Sequence, residues 1–223
     1  MIERLTTLLF CALVFASPFF ASAWTETWIE SAGAVVDARE EGSARVSLHV
    51  DLRIRGGWLT GLELTGLDPD LSLLESARAV LIGEDGRRYF PSVEVMGSGV
   101  VWLRFNRPNA PRRGRYRAEL HYESPLAGPR TLDGRRGIEF TLPGFVDDLE
   151  GAEIRIIAPP EASLPRDFDP RAIVRHHIED RDGEKIFSFR RIQLPRGRSF
   201  TVRVDLPSER PPLEIVEGRS FGS

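Results

Sequence analysis

Arginine is the chemically most suggestive residue type in this chain, because it is concentrated in one region. Between Arg104 and Arg136, nine arginines stand against three acidic residues, a local excess of +6. Two loops, residues 106–114 and 125–136, carry most of this charge. If both loops lie at one end of the fold, they form a basic patch for an anionic glycan, a lipid head group or an acidic partner. The candidate binding residues are Arg107, Arg112, Arg113, Arg115, Arg130, Arg135 and Arg136.

A compositional explanation stands beside this functional one. Lys185 is the sole lysine of the chain, and a GC-rich genome produces such an arginine bias without selection for binding. The formal net charge of the whole chain is only -3, which argues against nucleic acid as a partner. The positions of the arginines in the fold, rather than their number, must therefore decide whether they form a binding site.

Two motifs of catalytic or metal-binding type do not predict a site. Gly218-x-Ser220-x-Gly222 matches the nucleophile elbow of hydrolases, but that elbow needs a strand before it and a helix after it, and neither is indicated. His176 and His177 are adjacent and point to opposite faces of a strand, so that only His177 and Glu179 share a face. Two ligands are fewer than a zinc site uses, even if a turn aspartate were added. We predict no catalytic residue, no metal and no cofactor.

Acidic and aromatic residues offer two further hypotheses. Three acidic groups could bind calcium, although none has the spacing of a known calcium loop and aspartate is common in turns. Exposed tryptophans could bind sugars. The acidic groups are Asp68, Asp70 and Glu75, then Asp147, Asp148 and Glu150, then Asp180, Asp182 and Glu184; the tryptophans are Trp24, Trp28, Trp58 and Trp102.

The first 23 residues have the pattern of a secretory signal peptide. An apolar run of residues 5–20 precedes Ala21-Ser22-Ala23, and we expect cleavage after Ala23. The run is interrupted by Pro18 and is shorter than a membrane span, so an uncleaved anchor is the less favoured alternative. Cys11 is the only cysteine, and the mature protein would therefore rely on its hydrophobic core and not on disulfides.

Alternating apolar and polar residues predict an all-β protein of about twelve short strands. The clearest strand is residues 46–54, in which Val46, Leu48 and Val50 alternate with polar residues. Short turns favour antiparallel pairing, and one wet face per sheet favours an antiparallel β-sandwich, immunoglobulin-like or larger, with little or no helix. We expect one domain over residues 24–206 rather than two split near residues 125–136, and a flexible tail over residues 207–223.

Three local predictions are specific enough to be checked. Residues 100–105 and 116–122 should form an antiparallel hairpin around the first arginine-rich loop. Residues 71–78 are the only plausible helix. Asp-Gly turns at Asp85-Gly86 and Asp182-Gly183 should close two hairpins, because tight hairpin turns need positive φ angles.

A strand of residues 114–122 that follows an x-Leu-x-Phe strand resembles the β-sandwich that precedes the catalytic domain in some bacterial, peptidase-associated exported proteins. The resemblance covers residues 44–124 and implies a sandwich fold; the zinc signature of such peptidases is absent from this sequence. We therefore expect an exported, non-enzymatic interaction module of the bacterial periplasm, envelope or extracellular space, with no membrane span in the mature chain. Its partner would be an envelope protein or an anionic glycan or lipid. The alternatives are a carbohydrate- or anionic-polymer-binding module, and a hydrolase whose site is assembled from distant residues.

Overall fold

The described residues are almost entirely β-structure. The computed structural model describes residues 25–38, 43–74, 79–125, 127–130, 136–166, 168 and 175–206. Their only helical element is a single 3-10 turn, Arg107–Asn109. The strands are β1 Glu26–Asp37, β2 Ala44–Gly56, β3 Gly61–Leu64, β4 Ser72–Leu73, β5 Ala79–Gly83, β6 Arg88–Tyr89, β7 Ser92–Val95, β8 Val101–Arg104, β9 Gly114–Ser124, β10 Ala127–Arg130, β11 Arg136–Leu142, β12 Gly151–Ala158, β13 Arg175–Arg181, β14 Glu184–Arg191 and β15 Phe200–Leu206.

The strands form one large sheet and two small ones around a shared core. The large sheet has the order β13-β14-β12-β1-β2-β9-β5-β6, with β4 also pairing with β9. The small sheets are β10-β11-β15 and β3-β8-β7. Buried residues of all three sheets belong to one hydrophobic cluster, which includes Leu48, Leu103 and Phe140. The predicted all-β, sandwich-like fold is confirmed.

One strand pair in the large sheet is parallel, and this differs from the fully antiparallel sandwich that we expected. β1 pairs with β12 in parallel, from Ser31 opposite Gly151 to Asp37 opposite Ile157. On its other side β1 pairs antiparallel with β2. Parallel strands need a long connection, and here more than a hundred residues separate the partners, so no local turn signal could reveal the pairing.

The predicted hairpin around the first arginine-rich loop is wrong. β8 pairs with β3 and β7 in a small sheet, whereas β9 pairs with β2 and β5 in the large one. Residues 105–113 instead connect β8 in the small sheet to β9 in the large sheet. Alternation identified both strands correctly, but it contains no information about which strands are partners.

The other local predictions had different outcomes. Within the predicted helix of residues 71–78, Ser72–Leu73 is a short strand, so that part is wrong; residues 75–78 lie outside the described residues. Both Asp-Gly hairpins are confirmed, as β5 with β6 and β13 with β14. In the second turn Asp182 and Gly183 have φ angles of 50° and 78°, as a tight hairpin turn requires.

The predicted signal peptide and C-terminal tail both lie outside the described residues, which begin at Thr25 and end at Leu206. The Gly218-x-Ser220-x-Gly222 match lies outside them as well. Within the described part of the chain, no helix has the length and apolar character needed to cross a membrane.

Candidate binding surface

The large sheet has one buried face and one polar face, which we call the outer face. Along β2, Leu48, Val50 and Leu52 are buried, and the residues between them point the other way. Residues directly opposite one another in neighbouring strands share a face. The register therefore places polar side chains of β1, β9, β12 and β14 on the outer face beside those of β2.

A groove of about 680 Å³ opens on the outer face, and Asp51 is one of the residues that line it. Arg117 Nε and Nη2 donate to the two carboxylate oxygens of Asp51 at 2.7 and 3.0 Å. Ser31 Oγ donates to Asp51 Oδ2 at 2.7 Å. These three residues come from β1, β2 and β9, which are adjacent strands, and they hold one carboxylate in a fixed position.

Two titratable groups on the outer face have pKa values shifted by their surroundings. Burial alone would raise the pKa of Asp51, but the hydrogen bonds from Arg117 and Ser31, with the charge of Arg117, outweigh it and lower that pKa. His49 lies two residues before Asp51 on β2 and is on the same face of the sheet. Burial, and after it the charge of Arg117, lowers the pKa of His49, so its neutral form is favoured.

The first arginine-rich loop packs on Trp58. The guanidinium carbons of Arg107 and Arg112 lie 5.0 and 5.1 Å from the centre of the Trp58 ring, within the range of a cation–π interaction. The loop is fixed to this segment by a hydrogen bond from Leu59 N to Pro111 O at 2.9 Å. Trp58 keeps 37% of its surface exposed. We call Trp58, Arg107 and Arg112 the platform.

A second aromatic and cationic pair lies on the outer face at the same end of the sheet. Arg55 lies over the Trp28 ring at 5.6 Å, and Trp28 keeps 40% of its surface exposed. Arg53 is directly opposite Trp28 on one side and Arg115 on the other. Thr25, which immediately precedes β1, donates its hydroxyl to Trp58 O at 3.0 Å. The platform and this pair therefore adjoin.

The predicted arginines divide into three groups. Arg107 and Arg112 are in the platform, and Arg113 is exposed beside them. Arg115 points instead into the outer-face groove, where it forms ion pairs with Glu30 at 3.4 Å and Glu84 at 3.7 Å.

The second arginine-rich loop lies mostly outside the described residues. Arg130 ends β10 and Arg136 begins β11, and only their strand positions are described. Arg135 lies outside the described residues. That the two loops form one patch stays a prediction.

Aspartates of two of the predicted acidic clusters accept hydrogen bonds from nearby backbone N–H groups and a hydroxyl group. Asp147 Oδ2 accepts from Ile29 N at 2.9 Å, and Asp148 Oδ1 accepts from Arg196 N at 2.7 Å. Asp68 accepts from Asp70 N and from the Ser124 hydroxyl. Within the described ranges, no group of three His, Cys, Asp or Glu side chains is placed to hold a metal ion.

Two other candidate residue sets lie in strands. His177 and Glu179 are exposed on β13, the edge strand of the large sheet. Trp102, on β8, is half-buried, and Arg104 lies over its ring at 5.4 Å. Trp24 lies outside the described residues.

Sequence reasoning missed the parts of the surface that depend on strand pairing. Asp51, Ser31 and Arg117 lie far apart in the chain, and only the register of β1, β2 and β9 brings them together. The contact between Trp58 and the first arginine-rich loop also joins residues that are far apart in the chain. Had the β2–β9 pairing been predicted, the alternation along both strands would have placed Asp51 opposite Arg117.

No protein-family model matches the sequence, and no curated protein matches it either. Solved structures do match in fold. A mutant of the M1 zinc metallopeptidase of Deinococcus radiodurans aligns with a TM-score of 0.52 at 16% identity, covering 80% of this chain and 42% of that chain. Another structure of the M1 zinc metallopeptidase from this organism aligns with a TM-score of 0.50 at 17% identity, with the same coverage of both chains.

At this level of identity the likeness concerns the fold alone. This chain spans about two fifths of the length of the peptidase chains that it matches. The all-β unit described above is thus similar to a part of those larger proteins. The likeness agrees with the sandwich fold that the sequence resemblance implied over residues 44–124.

Proposed function

We propose that the protein is an exported, non-enzymatic binding module of the bacterial envelope or extracellular space, and that it binds an anionic partner through the platform. The observation that carries this proposal is the placement of Arg107 and Arg112 over one exposed tryptophan ring. Within the described part of the chain, neither guanidinium has a carboxylate within ion-pair distance. Their charges are therefore available to a ligand.

The physical argument concerns the cost of ordering a long side chain. An arginine that binds an anion usually loses rotamer freedom when it does so. Stacking on Trp58 already restricts Arg107 and Arg112, so less entropy remains to be lost on binding. The planar guanidinium presents paired donors that match a carboxylate, phosphate or sulfate.

A hydrolase is the second candidate, and the likeness to part of the M1 zinc metallopeptidase chains favours it. The described residues include a hydroxyl–imidazole pair on the outer face, with Ser47 Oγ and His121 Nδ1 at 2.9 Å. Ser47 lies in the middle of β2, a strand paired on both sides. Backbone N–H groups there are used by the sheet, so they cannot stabilise an oxyanion. The Ser47–His121 pair therefore lacks backbone donors for an oxyanion.

The test compares two double variants of the mature protein. Arg107→Ala/Arg112→Ala removes the platform charges, and Arg175→Ala/Arg181→Ala removes two exposed charges from β13 as a matched control. Binding to immobilised polygalacturonate is measured against neutral dextran. We expect the first variant to lose roughly tenfold or more in affinity, since two charge-assisted contacts are removed. The control should bind as the wild type does.

Two results would contradict the proposal. One is equal binding by both variants, which would assign the affinity to net charge alone. The other is turnover of a peptide or ester substrate that is lost on Ser47→Ala or His121→Ala, which would favour the hydrolase.

A further inference from the structure

The geometry points to an extended acidic polysaccharide as the ligand, lying along a strip that runs from the platform onto the outer face past Trp28 and Arg53. This inference rests on the proposed function and makes its ligand specific. It extends the binding site from the arginine-rich loop to the row of Trp28, Arg53 and Arg115 on the large sheet.

The first step is the register of β1, β2 and β9. Trp28 is opposite Arg53, and Arg53 is opposite Arg115, so the three side chains form one row across the outer face. Like charges directly opposite each other destabilise a sheet. Arg53 and Arg115 therefore stand in an arrangement that folding alone does not favour.

The second step is how these charges are compensated. Arg115 has two carboxylate partners, Glu30 and Glu84. Arg55 is 3.8 Å from Glu26, a long contact between exposed groups, and such pairs contribute little. Arg53 is exposed, and within the described ranges no carboxylate lies at ion-pair distance from it. The row therefore contains one uncompensated cation beside an exposed indole.

The third step is continuity with the platform. Thr25 contacts the backbone of Trp58, and Trp28 follows Thr25 by three strand residues. At about 3.3 Å per residue, this places Trp28 roughly 10 Å further along the sheet. Two aromatic and cationic units thus adjoin, one at the platform and one at Trp28 and Arg55. A site for a single small anion would instead have its charges converge on one point.

Exposed rings between the charges favour a sugar chain over other anionic polymers. A pyranose ring has an apolar face of C–H groups that packs on an indole, and its uronate carboxylate matches a guanidinium fork. An anionic membrane fits less well. A flat surface would also meet Asp51, Glu119 and Glu153 on the outer face, which would repel it, whereas a narrow chain avoids these three carboxylates.

The test is a length series of galacturonate oligomers with the wild-type protein and Arg53→Ala/Arg55→Ala. A chain that spans both units should bind about tenfold or more tightly than the monomer, because the second contact is intramolecular. The variant should lose this dependence on length and keep the weaker binding of the platform. Arg175→Ala/Arg181→Ala is again the control, and a thermal melt of each variant checks folding.

The outcomes separate this inference from the proposed function. If the oligomers bind no better than the monomer, or if Arg53→Ala/Arg55→Ala behaves as the wild type, the inferred extended site is wrong. The proposal that the platform binds an anion is then unaffected. If vesicles containing an anionic lipid bind as tightly as the longest galacturonate oligomer of the series at equal charge, the ligand is a membrane surface and the inference is overturned. If Arg107→Ala/Arg112→Ala changes nothing, the proposed function fails as well.

Discussion

At the scale of single residues, Asp51 has the most completely defined environment on the outer face. It accepts hydrogen bonds from Arg117 and Ser31 and sits in a groove between three strands. These bonds link β1, β2 and β9 on their polar side. The lowered pKa of Asp51 shows that the folded protein favours the ionised carboxylate, and this has a consequence for stability against pH.

We expect Asp51→Asn to reduce the free energy of unfolding by about 1 kcal/mol at pH 7, a value already lowered for solvent screening of this half-exposed group. A carboxylate with a depressed pKa stabilises the fold above its unfolded pKa, about 3.9, and this contribution is lost as the pH falls through the folded pKa. The difference between wild type and variant should therefore be constant from about pH 5 to 8 and shrink below about pH 4. Urea unfolding across this range measures it.

The control for this experiment is Glu150→Gln. Glu150 lines the same groove, and the described part of the chain gives it no side-chain ion pair. Its replacement removes one negative charge without removing the hydrogen bonds to Asp51. Identical pH profiles for Asp51→Asn and the wild type would show that the Arg117–Asp51 pair contributes nothing to stability.

At the scale of elements, the parallel pairing of β1 with β12 depends on a glycine. A Cβ atom at Gly33 would lie 2.8 Å from the backbone oxygen of Glu153 and 2.6 Å from Cε1 of His49. The imidazole can move, but the β12 backbone cannot move without disturbing the register. At Gly33, β1 thus has no room for a side chain between His49 of β2 and the backbone of β12.

Gly33→Ala should destabilise the protein by about 1 to 3 kcal/mol, as overpacking of a close contact does. Gly151→Ala is the matched control, because Gly151 is in β12 and a Cβ there would meet nothing within 4 Å. That replacement should be neutral or slightly stabilising. Thermal unfolding of both variants measures the difference, and equal melting temperatures would contradict the close approach at Gly33.

The strands also show which structural features local sequence patterns can predict. Period-two alternation found β2, β9, β11, β12 and β15 because one face of each is buried in the same core. Asp-Gly turns found two hairpins because the positive φ requirement is local. β9 pairs with β2 and not with β8 because of long-range packing, and a local sequence pattern carries no information about such packing. For the same reason the arginine-rich loop was recognised as basic, while its contact with Trp58 was not predicted.

At the scale of the whole molecule, the large sheet combines strands from both sides of residues 125–136. β1 lies between β2, which follows it closely, and β12, which begins at Gly151. A boundary near residues 125–136 would therefore divide one sheet between two units. The side chains that β1 and β12 contribute to the core, such as Val36 and Ile154, lie on both sides of that boundary and are buried in one cluster.

The last prediction follows from this sharing of a sheet. We expect a fragment of residues 25–125 and a fragment of residues 136–206 to be unfolded when each is produced alone, because each exposes apolar side chains and strand edges that the other covers. Co-expression should give a folded complex that purifies together. Far-UV circular dichroism and the dispersion of amide proton shifts distinguish these states. A fragment that folds alone, with a cooperative thermal transition, would show that the chain consists of two domains and that the β1–β12 pairing is an interface between them.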